Sequence, residues 1–207
     1  MQKDLKSPFS SGNIYHVFNR CVKGQLLFYN SNNYHFFLKK IQLYLSDIVD
    51  ILAWTLIPNH FHIIAKVKNI NIENLSYLEK CILSDPQKGI DFLVRERFRR
   101  LFLSYSHSLK KQTGINTNVF AQKFKHKLVD KNDQLTQLFF YIHANVTHHK
   151  ISENWKDYEW SSYWQVIEGD CSFIDLQTTI DWFGSKEAFI DAHKLNCTAY
   201  VEKSRDS

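Results

Sequence analysis

The chain has 207 residues, 44% of them hydrophobic and 15% aromatic, so it is long enough and apolar enough to bury a substantial core. No apolar run reaches the roughly 18 residues of a membrane span, and the lysine-bearing start lacks the apolar segment of a secretory signal. The net charge of +5 hides an asymmetry, because residues 1–150 carry 21 Lys and Arg against 10 Asp and Glu, whereas residues 151–207 carry 5 against 11. A basic body with an acidic tail favours a polyanionic partner, although such imbalances also serve solubility.

The cysteines are far apart and form no Cys-x-x-Cys pair; they are Cys21, Cys81, Cys171 and Cys197. This spacing indicates reduced thiols and argues against a zinc knuckle or a disulfide framework. We therefore expect a cytoplasmic, nucleoid-associated protein without a membrane partner.

Hydrophobic periodicity predicts seven elements in the first 129 residues. They are a strand at 13–22, a helix opened by Ser31, strands at 50–57 and 60–68, a helix at 90–111 preceded by a short one at 74–83, and a strand at 119–129. The order strand, helix, strand, strand, helix, strand is that of a ferredoxin-like α+β sandwich, with an antiparallel sheet of four to five strands.

Two histidines open the third predicted strand, directly after the Pro58-Asn59 turn. Alternation places His60 and His62 on one strand face and Phe61 on the other, with the two imidazoles roughly 7 Å apart. Such a pair can converge on one divalent ion if a third ligand comes from elsewhere. The alternative is a pair of surface histidines on a half-exposed strand.

Basic side chains follow the long helix and the fourth strand. On the helix they are Arg95, Arg97, Arg99, Arg100, Lys110 and Lys111, and on the strand Lys123, Lys125 and Lys127. Either these are ordinary solvated faces, or they form a surface that tracks phosphates and releases counterions on binding.

The next predicted helix begins at Asp130 and has an apolar face formed by Leu135, Leu138, Phe139, Ile142 and Val146. At about 100° per residue, Tyr141, Asn145 and His148 share a stripe at the edge of that face. A tyrosine there can project into a site on the sheet, or it can be a boundary tyrosine whose hydroxyl meets water.

Three segments in this order resemble the single-tyrosine HUH transposases. They are Pro58-Asn59-His60-Phe61-His62, Tyr141-Ile142-His143-Ala144-Asn145 and Trp160-Ser161-Ser162-Tyr163. Tyr15-His16-Val17 with Arg20, and Phe120-x-Gln122-x-Phe124-Lys125, also look like the REP-associated tyrosine transposase branch. The resemblance covers residues 13–167.

The resemblance implies a metal-dependent endonuclease and strand transferase that cleaves single-stranded DNA near hairpins, as a monomer or a homodimer. Its metal, Mg²⁺ or Mn²⁺, would be held by His60, His62 and Asn145. Tyr141 would be the nucleophile that forms a 5′-phosphotyrosine. The residues expected to contact DNA are Arg20, Arg95, Arg97, Arg100, Lys110, Lys123 and Lys125.

Two departures from the family pattern leave an alternative open. Asn145-Val146-Thr147 stands where the family has Asn-Pro-Val, and the family's following glycine is replaced around His149-Lys150. The alternative is a domesticated, catalytically weak DNA- or RNA-binding module with the same fold. A cupin-type site is excluded by spacing, because Lys66 stands where its acid is expected.

We predict two units, an HUH transposase domain at 1–167 and a small, acidic, helical appendage at 168–207. Five aromatic residues cluster near the boundary, and they are Trp155, Tyr158, Trp160, Tyr163 and Trp164. They either pack over the sheet or stack on bases.

Overall fold

The structure is a computed structural model that describes residues 7–85, 88–169 and 173–205, with side chains up to residue 199. The strands are β1 (Ile14–Arg20), β2 (Val49–Ile57), β3 (His60–Val67) and β4 (Lys125–Val129). The helices are α1 (Ser31–Leu45), α2 (Tyr77–Ser84), α3 (Gly89–Thr113), α4 (Asn132–His148), α5 (Tyr163–Glu168), α6 (Leu176–Phe183) and α7 (Lys186–Arg205).

The four strands form one antiparallel sheet in the order β2-β3-β1-β4. With the helices that follow β1 and β3, this order is that of the predicted ferredoxin-like α+β sandwich, which is confirmed. Strands β1 and β3 are central, and their register pairs Arg20 with His60 and Phe18 with His62. Side chains from β1 therefore stand beside the two histidines of β3 on the same face of the sheet.

Helices α1 and α3 cover the sheet face that carries Phe61. The Phe61 ring lies 5.2 Å from that of Phe37 on α1 and 5.4 Å from that of Phe102 on α3, measured between centroids. The opposite face packs on α4 through a second buried cluster, formed by Leu52, Ala53, Ile64, Leu135, Leu138, Phe139 and Ile142. The period-two alternation of β3 thus directs Phe61 into one layer and the histidines into the other.

Strand β4 is shorter than the predicted strand at 119–129, because it begins only at Lys125. The preceding residues turn along the end of β1, with an isolated bridge between Phe120 and Cys21 and a 3.0 Å hydrogen bond from Ala121 N to Arg20 O. This turn places Gln122 beside the site described below.

The C-terminal helices pack against the rest of the chain. Phe189, His193 and Cys197 on α7 are fully buried, and the hydroxyl of Thr179 on α6 donates a 3.0 Å hydrogen bond to the carbonyl of Leu52 on β2. The division between residues 167 and 168 stays a prediction. No helix in the described part of the chain is both long and apolar enough to cross a membrane.

Most of the aromatic residues near 155–164 pack as side chains of the core. Trp155 and Tyr163 are buried, and the Trp160 ring stacks on Tyr34 with centroids 4.3 Å apart. Trp164 is the exposed member, at 45% of its full accessibility. Three of the cysteines, Cys21, Cys81 and Cys197, have free thiols, and the fourth, Cys171, lies outside the described residues.

Candidate metal and nucleic-acid site

The histidines of β3 stand where the strand leaves the Pro58-Asn59 turn. The carbonyl of Pro58 accepts hydrogen bonds from the amides of Leu27 (2.7 Å) and Phe28 (3.1 Å), which tie the turn to the loop before α1. The rings of His60 and His62 lie edge to face with centroids 5.2 Å apart, so both point into one space under α4.

Both ring nitrogens of His60 have polar neighbours. Nδ1 lies 2.6 Å from Oδ1 of Asn59, and Nε2 lies 3.2 Å from Oδ1 of Asn145 on α4. The Asn59 side-chain oxygen only accepts, so Nδ1 of a neutral His60 donates to it and Nε2 carries a lone pair. That lone pair faces Oδ1 of Asn145, which is also an acceptor. Two acceptors at this distance match neighbouring ligands of one cation, which lie about 3 Å apart when each is about 2.1 Å from the ion.

The ring of His62 is oriented by a residue that is missing from the predicted site. Nδ1 of His62 lies 2.9 Å from Nε2 of His16 on the adjacent strand β1. When His62 donates this hydrogen bond, its own Nε2 keeps a free lone pair for a metal. His16 is found only from the strand register, because its distance of 46 residues from His62 gives no local signal.

The third expected ligand and the expected nucleophile are both on α4. The Tyr141 ring is 5.3 Å from that of His62 and 6.1 Å from that of His16, in edge contact with both. Burial raises the pKa of the Tyr141 phenol, and the nearby side chain of Asn145 partly opposes that rise. Nδ2 of Asn145 is buried without a hydrogen-bond partner among the described residues. It is therefore available to donate to a phenolate.

The histidines of the site are neutral near pH 7. Burial, followed by the charge of His149, lowers the pKa of His60 to about 4. Burial and the neighbouring His16 lower the pKa of His62 well below its usual value, and burial with the charge of Lys127 lowers that of His16 to about 3. Neutral imidazoles bind metal ions without first releasing a proton.

These donors fit a divalent cation. Nε2 of His60, Nε2 of His62 and Oδ1 of Asn145 are the atoms that would hold it, and two imidazoles with one amide leave positions open for water or phosphate. No group of three or more His, Cys, Asp or Glu side chains that could hold a metal occurs within residues 7–85, 88–169 and 173–205. In this donor set the amide of Asn145 would be the third protein ligand beside the two imidazoles.

A cleft of about 380 Å³ opens beside these residues. It is lined by Phe18, Asn19, Arg20, His60, His62, Ala121, Gln122, Lys125, Tyr141 and His149. The structure thus brings Arg20 and Lys125, two of the residues expected to contact DNA, to the expected nucleophile and metal ligands. Lys123 is exposed in the turn before β4, and Lys110 is on the last turn of α3.

The arginines of α3 are on the helix that covers the opposite face of the sheet, and their expected contact with DNA stays a prediction. Arg97 is not a free surface cation, since its side chain is only 12% exposed and lies 2.7 Å from carboxylate oxygens of both Asp47 and Glu79. Its Nε faces Glu79 as an ion pair without hydrogen-bond geometry. Arg95 pairs with Asp91 on its own helix.

Arg100 pairs with two carboxylates, Glu96 at 3.0 Å and Glu79 at 3.7 Å. The charges on this helix therefore balance acidic side chains of α2, α3 and the end of α1, and they are not brought to the cleft.

A buried hydrogen-bond chain holds α4 from its far side. His143 lies between Tyr141 and Asn145 in sequence, and its Nε2 is 2.9 Å from the Ser162 hydroxyl. Its Nδ1 is 3.0 Å from Nε2 of His193 on α7, and Nδ1 of His193 is 2.8 Å from the carbonyl of Phe189. Because that carbonyl only accepts, each ring donates from Nδ1 and accepts at Nε2. These bonds resist rotation of α4 about its axis.

Helix α4 continues through Asn145-Val146-Thr147 to His148 and ends in a hydrogen-bonded cap. The amide of Lys150 bonds to the carbonyl of Thr147 (3.0 Å), and the amide of Ile151 bonds to that of Val146 (2.9 Å). This is the Schellman pattern, which places one residue in the left-handed region. That residue is Lys150, with φ of 57°, where glycine is normally favoured.

Comparisons with known proteins give a structural match without a sequence match. No protein-family model matches the chain, and no curated protein matches it significantly. A REP-associated tyrosine transposase bound to a REP hairpin superposes with a TM-score of 0.58 at 15% identity, covering 85% of this chain and 90% of that one. A bacterial tRNA(His) guanylyltransferase-like protein in complex with ATP gives only 0.43 at 8% identity, covering 87% and 73%. The chain therefore shares its α+β fold with a REP-associated tyrosine transposase.

Proposed function

We propose that the protein is a metal-dependent strand transferase that cleaves and rejoins single-stranded DNA beside a hairpin. The observation that carries the proposal is the convergence of Tyr141, His60 and His62 on one cleft, with the buried Asn145 3.2 Å from His60. A phenol next to two neutral imidazoles and an amide is a set suited to nucleophilic attack on a phosphodiester with help from a cation.

The charge at the cleft and the structural neighbour support DNA as the substrate. Arg20 and Lys125 stand at the cleft, where cationic side chains neutralise phosphates. The transposase of the same fold was solved with a REP hairpin bound. We extend the hairpin as a ligand to this chain, and we propose that here it is a DNA hairpin with a single-stranded flank.

In the proposed step, the Tyr141 oxygen attacks the phosphorus of a phosphodiester and forms a phosphotyrosine at the 5′ end of the downstream strand. The bond from phosphorus to the 3′ oxygen of the preceding nucleotide breaks, and that oxygen leaves as a 3′-hydroxyl after taking up a proton. The number of phosphoester bonds is unchanged, so a 3′-hydroxyl can reverse the reaction and join the strands.

The chain's own residues prepare this attack. Asn145, one helical turn after Tyr141, lies near the phenol, and its side chain lowers the pKa of the phenol and so favours ionisation. Bound Mg²⁺ or Mn²⁺ would supply positive charge that lowers the cost of the phenolate and of the charge that develops on the phosphate. His16 and Asn59 hold the two imidazoles in the orientation that presents Nε2.

The test is to mix the protein with single-stranded oligonucleotides bearing a hairpin, with Mn²⁺, and to look for a covalent adduct on a denaturing gel. Wild-type protein should form the adduct, and Tyr141→Phe should not, while its DNA affinity stays within about threefold because only one oxygen is lost. Tyr77→Phe is the matched control, since Tyr77 is 80% exposed on α2. Undiminished adduct formation by Tyr141→Phe would contradict the assignment of Tyr141 as the nucleophile.

A second function, a DNA- or RNA-binding module with little catalysis, is favoured by two observations. Burial raises the pKa of Tyr141, which disfavours the phenolate, and α4 continues unbroken past Asn145. This function predicts tight hairpin binding with no adduct at any pH or Mn²⁺ concentration. A comparison of DNA and RNA hairpins of one sequence then identifies the ligand.

A further inference from the structure

Phe18 is an aromatic residue in the cleft for which the proposed reaction has no use. It is on β1, paired with His62 of β3 on one side and with Lys125 of β4 on the other. Its ring is only partly buried and lines the same cleft as Tyr141. An aromatic ring at a polar, cationic cleft is an unusual use of apolar surface unless something flat packs on it.

The Phe18 ring already stacks on two histidine rings, and that of His62 lies 6.0 Å away between centroids with planes 26° apart. The ring stacks on His16, two residues earlier, with centroids 4.7 Å apart and planes 30° apart. Side chains two residues apart on a strand normally stand about 6.7 Å from each other, so the rings of Phe18 and His16 incline towards each other. On the other side of Phe18 along the strand, Arg20 lines the same cleft.

The strand spacing of about 6.7 Å between Phe18 and Arg20 suits one planar ring. A flat ring between two others needs about 7 Å, because carbon atoms in contact are about 3.5 Å apart. Arg20 is exposed and follows Phe18 on the same strand face. Its guanidinium can stack on a nucleobase from the side opposite to Phe18.

The surroundings supply the other contacts that a nucleotide requires. Gln122 is exposed at the rim, and its backbone carbonyl accepts a 3.2 Å hydrogen bond from the buried Asn19 side chain, which fixes the turn. A glutamine amide can donate to and accept from base edges. Lys125, next to Phe18 in the sheet, offers a cation for a flanking phosphate.

We propose that Phe18 and Arg20 form a slot that binds a single unpaired base, belonging to the nucleotide next to the phosphate that Tyr141 attacks. The proposal rests on the proposed function for the position of that phosphate, whereas binding of the base itself needs neither metal nor cleavage. The cleft volume of about 380 Å³ suits one nucleotide rather than a duplex. The slot would therefore select single-stranded DNA at the cleavage point.

The test measures binding without reaction. Tyr141→Phe protein in EDTA is titrated with a hairpin whose flank carries an abasic site at each position in turn. In this background Phe18→Ala should weaken binding of the intact flank about tenfold, as expected for the loss of one stacked base. Phe18→Tyr should keep the affinity, and Leu43→Ala, an exposed apolar residue of α1, should leave it unchanged.

The decisive result is the coupling between the side chain and one base. At a single abasic position the tenfold effect of Phe18→Ala should vanish, because the base that it contacts is already missing. Equal weakening at every position, or no weakening, overturns the slot. Phe18→Leu fills the same space without a π face, so it should weaken binding even if the alanine variant folds poorly.

The two proposals fail in different ways. A slot that shows this coupling in a protein that never forms the adduct supports base binding and contradicts the strand transferase. An adduct formed at normal rates, without coupling at any position, supports the transferase and contradicts the slot.

Discussion

Nε2 of His16 lies 2.9 Å from Nδ1 of His62, so a side chain on β1 controls the rotation of a ring on β3. Residues that orient metal ligands in this way typically contribute 10- to 100-fold to metal affinity. The pair therefore gives a direct test of the proposed donor set.

We expect His16→Ala to weaken Mn²⁺ binding by 10- to 100-fold, because the His62 ring loses the acceptor that fixes its tautomer. His16→Gln should recover most of the affinity, since its amide oxygen can accept from Nδ1 of His62. Calorimetric titration of the metal into DNA-free protein measures both. Equal losses in the two variants would mean that His16 acts through packing alone.

The salt dependence of DNA binding should distinguish the two faces of the sheet. Lys125→Ala should lower the magnitude of the slope of log K against log salt by about 1, because one phosphate contact is lost. Arg100→Ala should leave the slope unchanged, since Arg100 pairs with Glu96 and Glu79 across the sheet from the cleft. The reverse outcome would put the DNA surface on α3.

Arg97 should matter for stability. Arg97→Ala leaves the carboxylate of Glu79, only 6% exposed, without its closest cation, so we expect a loss of about 3–5 kcal/mol in the free energy of unfolding. Arg99→Ala is the control, because Arg99 is 58% exposed and pairs with its helical neighbour Glu96. That change should leave the urea unfolding midpoint almost unchanged, because an exposed ion pair contributes little to stability. Similar values for both variants would contradict the buried role.

The free energy of unfolding should decrease at acidic pH because of the buried histidines His143 and His193. Burial lowers the pKa of His193 to about 4, whereas an unfolded histidine titrates near 6.5. Between these values the unfolded state binds a proton that the folded state excludes. The stabilisation is therefore complete above about pH 6.5 and is lost as the pH falls to about 4, by an amount on the order of 3 kcal/mol.

Urea unfolding of His193→Gln checks this linkage, since the glutamine oxygen can still accept from Nδ1 of His143 but does not titrate. Its stability should fall less steeply between pH 6.5 and 4.5 than that of the wild type. The exposed His107→Gln variant should follow the wild type. If stability changed with pH in the same way in all three proteins, the role assigned to the buried His193 would be contradicted.

Lys150→Gly should stabilise the protein. The left-handed φ of 57° costs a residue with a Cβ about 1 kcal/mol, and glycine adopts it without that cost. We expect a gain of somewhat under 1 kcal/mol after the larger chain entropy of glycine in the unfolded state is included. Lys150→Ala removes the same charge but keeps the strain, so it should show no gain in thermal unfolding. An increase in thermal stability in both variants would mean that removal of the positive charge, and not relief of backbone strain, is responsible.

The parts predicted well from sequence are those with a local period. Alternation in β3 predicts the shared face of His60 and His62, and helical spacing predicts that Asn145 approaches the sheet. In the structure, Nε2 of His60 lies 3.2 Å from Oδ1 of Asn145. Neither pattern contains the register between strands, so His16 and Phe18, which reach the site from β1, are missed.

The ion pairs of α3 could not be predicted from the sequence for a related reason. The charge pattern of a helix does not reveal which distant carboxylates will meet it, and Asp47 is 50 residues from Arg97. Similarly, the pattern at 119–129 predicted a longer strand than β4, whereas the residues before Lys125 form a turn that is hydrogen bonded to Arg20.

Helix α4 follows the edge strand β4 and folds back over the face of its own sheet, so Tyr141 lies beside the histidines of its own chain. The proposed nucleophile and donors are thus held on one polypeptide, and a second copy need not contribute to the chemistry. Adduct yield per molecule should then be independent of dilution, and mixing a Tyr141→Phe chain with a His60→Ala chain should not restore it.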